Sequence, residues 1–192
     1  MNIFYLDKDP RVAAEYHVDK HCVKMILESA QLLSTAHRLL DGEETQGLSL
    51  TGRKKKIWKL PDDRDSVLYS ATHINHPSAI WCRSASENYM WLWVLLNELC
   101  KEYTYRYGKV HKCETTGLVA KLKQKPDNIP RDHFTDPTPA MPDKYKVPGD
   151  GVQSYRNYYL GEKQRMFSWK KREIPGFINN TTELKRDNYA AI

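Results

Sequence analysis

Residues 12–40 constrain this chain more than any other stretch. Val12, Ala13, Tyr16, Val23, Ile26, Ala30, Leu33 and Ala36 recur at the three- and four-residue spacing of an α-helix, and Asp41-Gly42 supplies a stop. A helix of that length is stable only when other elements cover its apolar face, so the fold has to be organised around it. The same stretch carries an unusual load. His17, Asp19, Lys20, His21, Lys24 and Glu28 put six ionisable side chains within twelve residues, while Val18, Cys22, Val23, Met25, Ile26 and Leu27 fill much of the remaining circumference. On a helix Lys20, Lys24 and Glu28 share one line, and His17, His21, Lys24 and Glu28 a neighbouring one. Histidine, amine and carboxylate on one stripe suit a surface that faces a ligand; a solvated face of ordinary lysine–glutamate pairs is the plainer alternative.

Elsewhere no strand pattern of useful length and no repeat is found. A second helix is expected over residues 65–73. Pro77 then forces His76 out of helical geometry, and a helix resumes over 79–83. A long third helix spans 86–108, with Tyr89, Trp91, Trp93, Val94, Leu96, Leu99 and Tyr103 and a stop at Gly108. A short helix near 116–124 and a last one over 152–169 complete the set. Residues 42–56 read as a polar surface loop ending in the basic run Arg53-Lys54-Lys55-Lys56. Residues 125–151 hold six prolines but keep Phe134, Met141, Tyr145 and Val147, which predicts an ordered long loop. The expectation is an all-α fold: a compact single-domain bundle of about five helices over 1–192. Within it, 1–111 forms the core, 112–178 adds the long loop and a C-terminal helix, and 179–192 is a polar, frayed tail.

With 192 residues, 40% of them hydrophobic, a core needs no disulfide or metal support. The four cysteines stand far apart with no C-x-x-C pair, which predicts reduced thiols and a cytoplasmic setting, in a bacterial or phage-infected cell. Asp7, Lys8 and Asp9 interrupt any secretory signal, and the apolar-rich run 89–96 is far short of the roughly 20 residues that span a bilayer, so no membrane partner is expected. A net charge of +6 favours an acidic partner. Twelve tyrosines and five tryptophans sharpen that, because many adjoin cations, as in Lys56-Ile57-Trp58-Lys59 and Tyr155-Arg156-Asn157-Tyr158-Tyr159. Phosphate pairing and base stacking use these residue types, which makes DNA the first candidate. Candidate contacts are Lys20, Lys24, Lys54, Lys55, Lys56, Arg106, Lys109, Tyr155 and Arg156. Arg106 and Lys109 also suit the dipole at a helix C-terminus.

His17 and His21 have the i,i+4 spacing of metal ligands, but Lys20 and Lys24 put cations beside them and no acidic cluster answers, so neither metal nor cofactor is expected. Glycine-rich phosphate loops are missing from the sequence. Amine chemistry fits better. A neutral amine can attack a carbonyl or a sugar C1′, and a nearby carboxylate can stabilise the cationic imine and manage protons. The candidate catalytic residues are Glu28, Lys20, Lys24, His21 and His76, the last in the irregular segment Asn75-His76-Pro77 before Trp81, where function tends to concentrate.

The succession Asp19-Lys20-x-x-x-Lys24-x-x-x-Glu28-x-x-Gln31-Leu32-Leu33, then Asn75-His76-Pro77-x-x-x-Trp81, then Glu102-Tyr103-x-x-Arg106-Tyr107-Gly108-Lys109 resembles the pyrimidine-dimer DNA glycosylases of endonuclease V type and their bacterial relatives, over residues 1–111. The resemblance implies an all-α, metal-independent protein that binds damaged duplex DNA. It implies glycosidic cleavage through an imine with the N-terminal α-amine, assisted by Glu28, with Lys20 and Lys24 lining the DNA-facing side. In that family the amine belongs to a small second residue exposed by methionine removal. Here Asn2 is large for such processing, so the amines of Met1, Lys20 and Lys24 stand as alternatives. The expected function is a pyrimidine-directed DNA glycosylase and lyase acting on a damaged or modified base. The alternatives are a transferase that modifies a substituted pyrimidine, with residues 138–159 forming a second-substrate pocket, and a non-enzymatic nucleic-acid or nucleotide binding module.

Overall fold

A computed structural model of the chain describes residues 1–48 and 51–179. The expected 12–40 helix is two helices, α1 (Pro10–Tyr16) and α2 (Asp19–Asp41). His17 and Val18 between them are extended, with ψ of 129° and 155°. The break survives burial because partners from elsewhere take up its backbone groups. Ser168 O accepts from the Asp19 N–H at 2.8 Å, and His17 O and Glu15 O accept from Arg106 at 2.8 and 2.9 Å. His17 therefore leaves the helical register of His21, and the i,i+4 metal spacing read from the sequence is not realised on one helix.

Arg106, expected to face DNA, has no exposed surface. Besides those two carbonyls it pairs with Glu102 and Asp19, each at 3.0 Å. It sits near the end of α5 (Ser86–Tyr107), which closes as expected at Gly108, whose φ of +67° only glycine adopts freely. Helix α5 packs on α1, on α2 and on α4 (Pro77–Ser84). Their shared core includes Ile26, Leu33, Leu92, Leu96 and Leu99, together with Ile3, Tyr5 and Leu6 from the N-terminal segment.

The fold is mostly helical but not all-α. Residues 42–56, expected as a loop, contribute to an antiparallel ribbon of β1 (Glu43–Leu48) and β2 (Lys54–Lys59), with Glu43 opposite Lys59 and Leu48 opposite Lys54. Its strands show no apolar alternation because neither face is buried. The helix expected over 65–73 shrinks to α3 (Arg64–Val67). Beyond it Arg38 holds the carbonyls of Leu68 and Tyr69, and Thr35 pairs with the backbone of Thr72, so 68–72 is tied to α2 as irregular chain. Gly117, at φ +76°, divides the next region into α6 (Lys112–Thr115) and α7 (Leu118–Lys121).

Residues 125–150 are irregular apart from one 3₁₀ turn, Asp143–Tyr145. They are fastened by side chains of the bundle: Trp81 Nε1 donates to Thr135 O at 2.7 Å, and Asn88 pairs with both the backbone and the hydroxyl of Thr135. Helix α8 (Gly151–Glu162), shorter than the expected 152–169, sends Tyr155 and Tyr159 into the core. Residues 180–192 of the expected tail lie outside the described residues. Among the described residues no helix is long and apolar enough to cross a membrane.

Arg106 yields a stability prediction. Arg106→Met leaves two carbonyls without their donor and the nearly buried Glu102 with Arg172 alone, and should lower the unfolding free energy by roughly 2–4 kcal/mol. Lys109→Met, at an exposed position three residues on, should stay within about 0.5 kcal/mol of the parent. Urea denaturation of both variants checks the contrast; equal midpoints would show that the arginine does not hold the break.

Candidate functional site

The chain's N-terminal segment runs back along α2, so that Phe4 meets His21 and Asn2 meets Glu28. Asn2 is the pin. Its backbone N–H donates to Glu28 Oε2 at 3.0 Å. Its side-chain oxygen accepts from the N–H groups of Ile3 and Phe4, and its amide nitrogen donates to Ala140 O at 3.0 Å. The proline-rich loop thus clamps the chain's start. The other carboxylate oxygen of Glu28 pairs with Lys24 Nζ at 3.0 Å, one helical turn away; the Glu28 side chain is 13% exposed and that of Lys24 68%.

His76 joins this neighbourhood. It caps α4 by accepting the Ser78 N–H on Nδ1 at 3.1 Å, which places the proton of the neutral ring on Nε2. Burial lowers its pKa first, followed by the positive chain terminus at Met1 and by His73, while Glu28 acts in the opposite direction. A carboxylate, an imidazole and two amines, one the α-amine and one Lys24, therefore share one electrostatic environment.

His21, a candidate acid–base group from the sequence, serves otherwise. It is buried, stacks on Phe4 at 4.2 Å with 19° between the rings, and meets Tyr159 Oη at 2.6 Å through Nδ1. Burial, then His17, Lys163 and Lys24, lower its pKa to about 3, so the ring stays neutral near pH 7. It is a packing partner for the N-terminal segment. Phe4 has φ +55°, rare for an aromatic residue, and such backbone strain persists where the surroundings over-determine it. The Tyr158 ring lies nearly parallel to that of Phe4, 6.2 Å away, and Lys163 Nζ stands 4.5 Å above Tyr158.

The exposed side of α2 next to Glu28 carries Lys20, Val23, Lys24 and Leu27. Val23 also lines an open cleft of about 390 Å³ with Tyr103, Tyr107, Lys109 and Lys170. Lys54, Lys55 and Lys56 are exposed on β2, with Lys56 paired to Glu44 at 2.8 Å. Tyr155 and Arg106 are fully buried and present nothing to a ligand. Arg156 is half-buried, bonded to Leu6 O and Asp7, and flanked by the Tyr16 and Phe177 rings. The predicted contacts thus resolve into an α2 face, a cleft beside it, and a ribbon at the far end of α2. Among the described residues no three metal-ligating side chains converge.

Sequence reasoning missed Asn2 as the partner of Glu28, and Ala140, Tyr158 and Lys163 as neighbours of the N-terminal segment. The apolar residues Ile3 to Leu6 were the one local signal that this segment lies inside. No family model matches the chain, and the searches of curated proteins and of solved structures give no match either.

The buried histidines make stability depend on pH. Burial is the leading cause in lowering His17 to about 4, His21 to about 3 and His37 to about 4, against 6.5 for an exposed ring. Below about pH 6.5 the unfolded chain binds protons that the folded chain refuses. The stabilisation is therefore fully present above pH 6.5 and is lost as pH falls toward 4, by up to about 1.4 kcal/mol per pH unit for each histidine. Thermal melts from pH 7.5 to 4.5 should show Tm flat at first and falling steeply below 6.5; a flat profile to pH 4.5 contradicts buried neutral rings.

Proposed function

We propose that this protein is a DNA-acting enzyme of glycosylase and lyase type, in which an amine attacks the sugar of a damaged or modified pyrimidine nucleotide and Glu28 assists. The observation that carries the reading is the 3.0 Å contact between the Asn2 backbone nitrogen and Glu28 Oε2, which brings the chain's start to the one carboxylate of the α2 stripe. It agrees with what the resemblance to the pyrimidine-dimer glycosylases implies for Glu28.

Two amines lie near that carboxylate, and chemistry ranks them. An amine attacks through its lone pair, which an ion pair with a carboxylate ties up. Lys24 is committed to an ion pair with Glu28. The α-amine at Met1 is the preferred nucleophile, and the nitrogen of Asn2 takes its place if Met1 is removed. The amine lone pair forms a bond to C1′ as the base leaves with the glycosidic electron pair; ring opening then gives a protonated imine beside the Glu28 carboxylate. Loss of a C2′ proton from that imine expels the 3′ phosphate by β-elimination. The target nucleotide has to leave the base stack for C1′ to be reached. Lys20 and Lys24 serve as phosphate contacts on the same face.

A second reading is transfer of a group to a substituted pyrimidine. It is favoured by the way Ala140, Tyr158 and Lys163 from the C-terminal half wall the N-terminal segment. The two differ in product: a covalent amine adduct or an abasic site in one, an added mass on an intact nucleoside in the other.

Borohydride reduction during incubation with duplexes carrying pyrimidine lesions or an abasic site should trap an adduct, and peptide mapping should place it at the chain's first residue. Glu28→Gln should slow trapping by about 10²-fold or more with little change in Tm. Intact duplex binding with no adduct on any lesion would eliminate the glycosylase reading.

A further inference from the structure

The β1–β2 ribbon has no structural reason to exist that lies within the bundle. An isolated two-stranded ribbon is marginal in water, and sheets normally earn their place by burying one face. Here no residue of either strand is buried, although Thr45, Gly47, Ile57 and Trp58 are partly covered. The ribbon is nevertheless fixed firmly at its root. Arg38 Nη1 donates to Trp58 O at 2.9 Å, and Leu60 N–H, just past β2, donates to Asp65 Oδ1 at 2.9 Å. Arg38 is itself buried and also bonds Tyr69 O, Leu68 O and Asp65. A rigid base with a solvent-exposed arm is the arrangement of a projection that meets a partner.

Charge indicates which partner. Residues 43–59 hold five cations and two carboxylates, a net +3, which is half of the chain's +6. Lys54 and Lys55 stand at the distal end, just after Arg53 in the sequence, while Lys56 pairs with Glu44 and Lys59 lies opposite Glu43 at the root. Successive strand residues point to opposite faces, so Lys54 and Lys56 stand on one face and Lys55 and Lys59 on the other. Lysine on both faces suits a cleft with two anionic walls better than a flat acidic surface. Six residue pairs give a ribbon about 20 Å long, and the roughly 12 Å width of the duplex major groove admits a two-stranded ribbon. Leu48, 65% exposed at the distal end, adds an apolar contact for the groove floor.

We infer that the β1–β2 ribbon is a duplex-binding arm that enters a groove and pairs its lysines with the phosphates of both walls. This rests on DNA being the partner of the Glu28 face. The arm acts at a distance from that face, since its anchor Arg38 lies ten residues, about 15 Å of helix, beyond Glu28 on α2. It holds the duplex through the sugar–phosphate backbone and leaves the chemistry to the α2 stripe.

The test is the triple variant Lys54→Gln, Lys55→Gln, Lys56→Gln, whose substitutions are all exposed and should leave the Tm of the protein unchanged. Binding to a fluorescent 20-base-pair duplex is followed by anisotropy from 50 to 250 mM salt, beside the parent protein. The slope of log K against log salt should become shallower by about 2–3, since each lost phosphate contact removes roughly 0.9, and affinity at the lowest salt should fall by tenfold or more. A parent that binds duplex with a variant of identical slope overturns the arm and leaves the DNA reading standing. A parent with no salt-dependent duplex binding overturns both. A lysine-dependent preference for single strands over duplex, or for polyglutamate over either, overturns the groove and assigns the ribbon to a different partner.

Discussion

The buried guanidinium of Arg106 is the interaction on which the site's geometry depends. It bonds two carbonyls at the break between α1 and α2 and a carboxylate from each of α2 and α5, and it has no exposed surface. Without it the residues 15–18 would carry orphan carbonyls in a dry interior, and a continuous helix over 12–40 would satisfy them better. The break matters because it ends α1 before the ionisable stripe begins. The segment ahead of α1 is then free to lie back along α2, where the ring of Phe4 stacks on His21 and Asn2 reaches Glu28. A buried ion network far from solvent thus sets which residues meet at a surface site.

The site shows how burial divides roles among residues of one type. His21 on the stripe is walled in by Phe4 and Tyr159, whereas His76 caps α4 and shares an electrostatic neighbourhood with the chain terminus and Glu28. Lys24 and Glu28 differ similarly: the amine is solvated and the carboxylate is mostly covered. A covered carboxylate interacts more strongly with a neighbouring cation than an exposed one does, because the solvent screens it less.

Much of the helical framework was legible in the sequence, and the reasons it was are local. Helix α5 was expected over 86–108 and spans Ser86–Tyr107, since its periodic apolar residues and its Gly108 stop act within a few residues of themselves. The Glu28 stripe was legible for the same reason. The ribbon was not, because hairpin patterning is a record of one buried face and this ribbon buries neither. The split at His17 was hidden because its stabilising partners, Arg106 and Ser168, stand some 90 and 150 residues away. Asn2 and Ala140 meet across a similar distance.

Arginine and lysine were weighed alike as phosphate contacts, and here the physics separates them. Among the described residues Arg38, Arg64 and Arg106 are buried, while every lysine is exposed or half-buried. The planar guanidinium offers five donors in a fixed fork and is weakly hydrated, so it can enter the interior and satisfy several carbonyls at once. Arg38 does this for residues 58, 65, 68 and 69, and Arg64 for Asp41, Asp62 and His37. The ammonium of lysine is strongly hydrated and stays outside. Three of the eleven arginines therefore hold irregular segments in place, and the exposed positive charge is carried mainly by lysines, six of which lie on α2 and β2. The number and geometry of their donors thus sort the two cation types, sending arginine into the interior to hold carbonyls and leaving lysine at the surface.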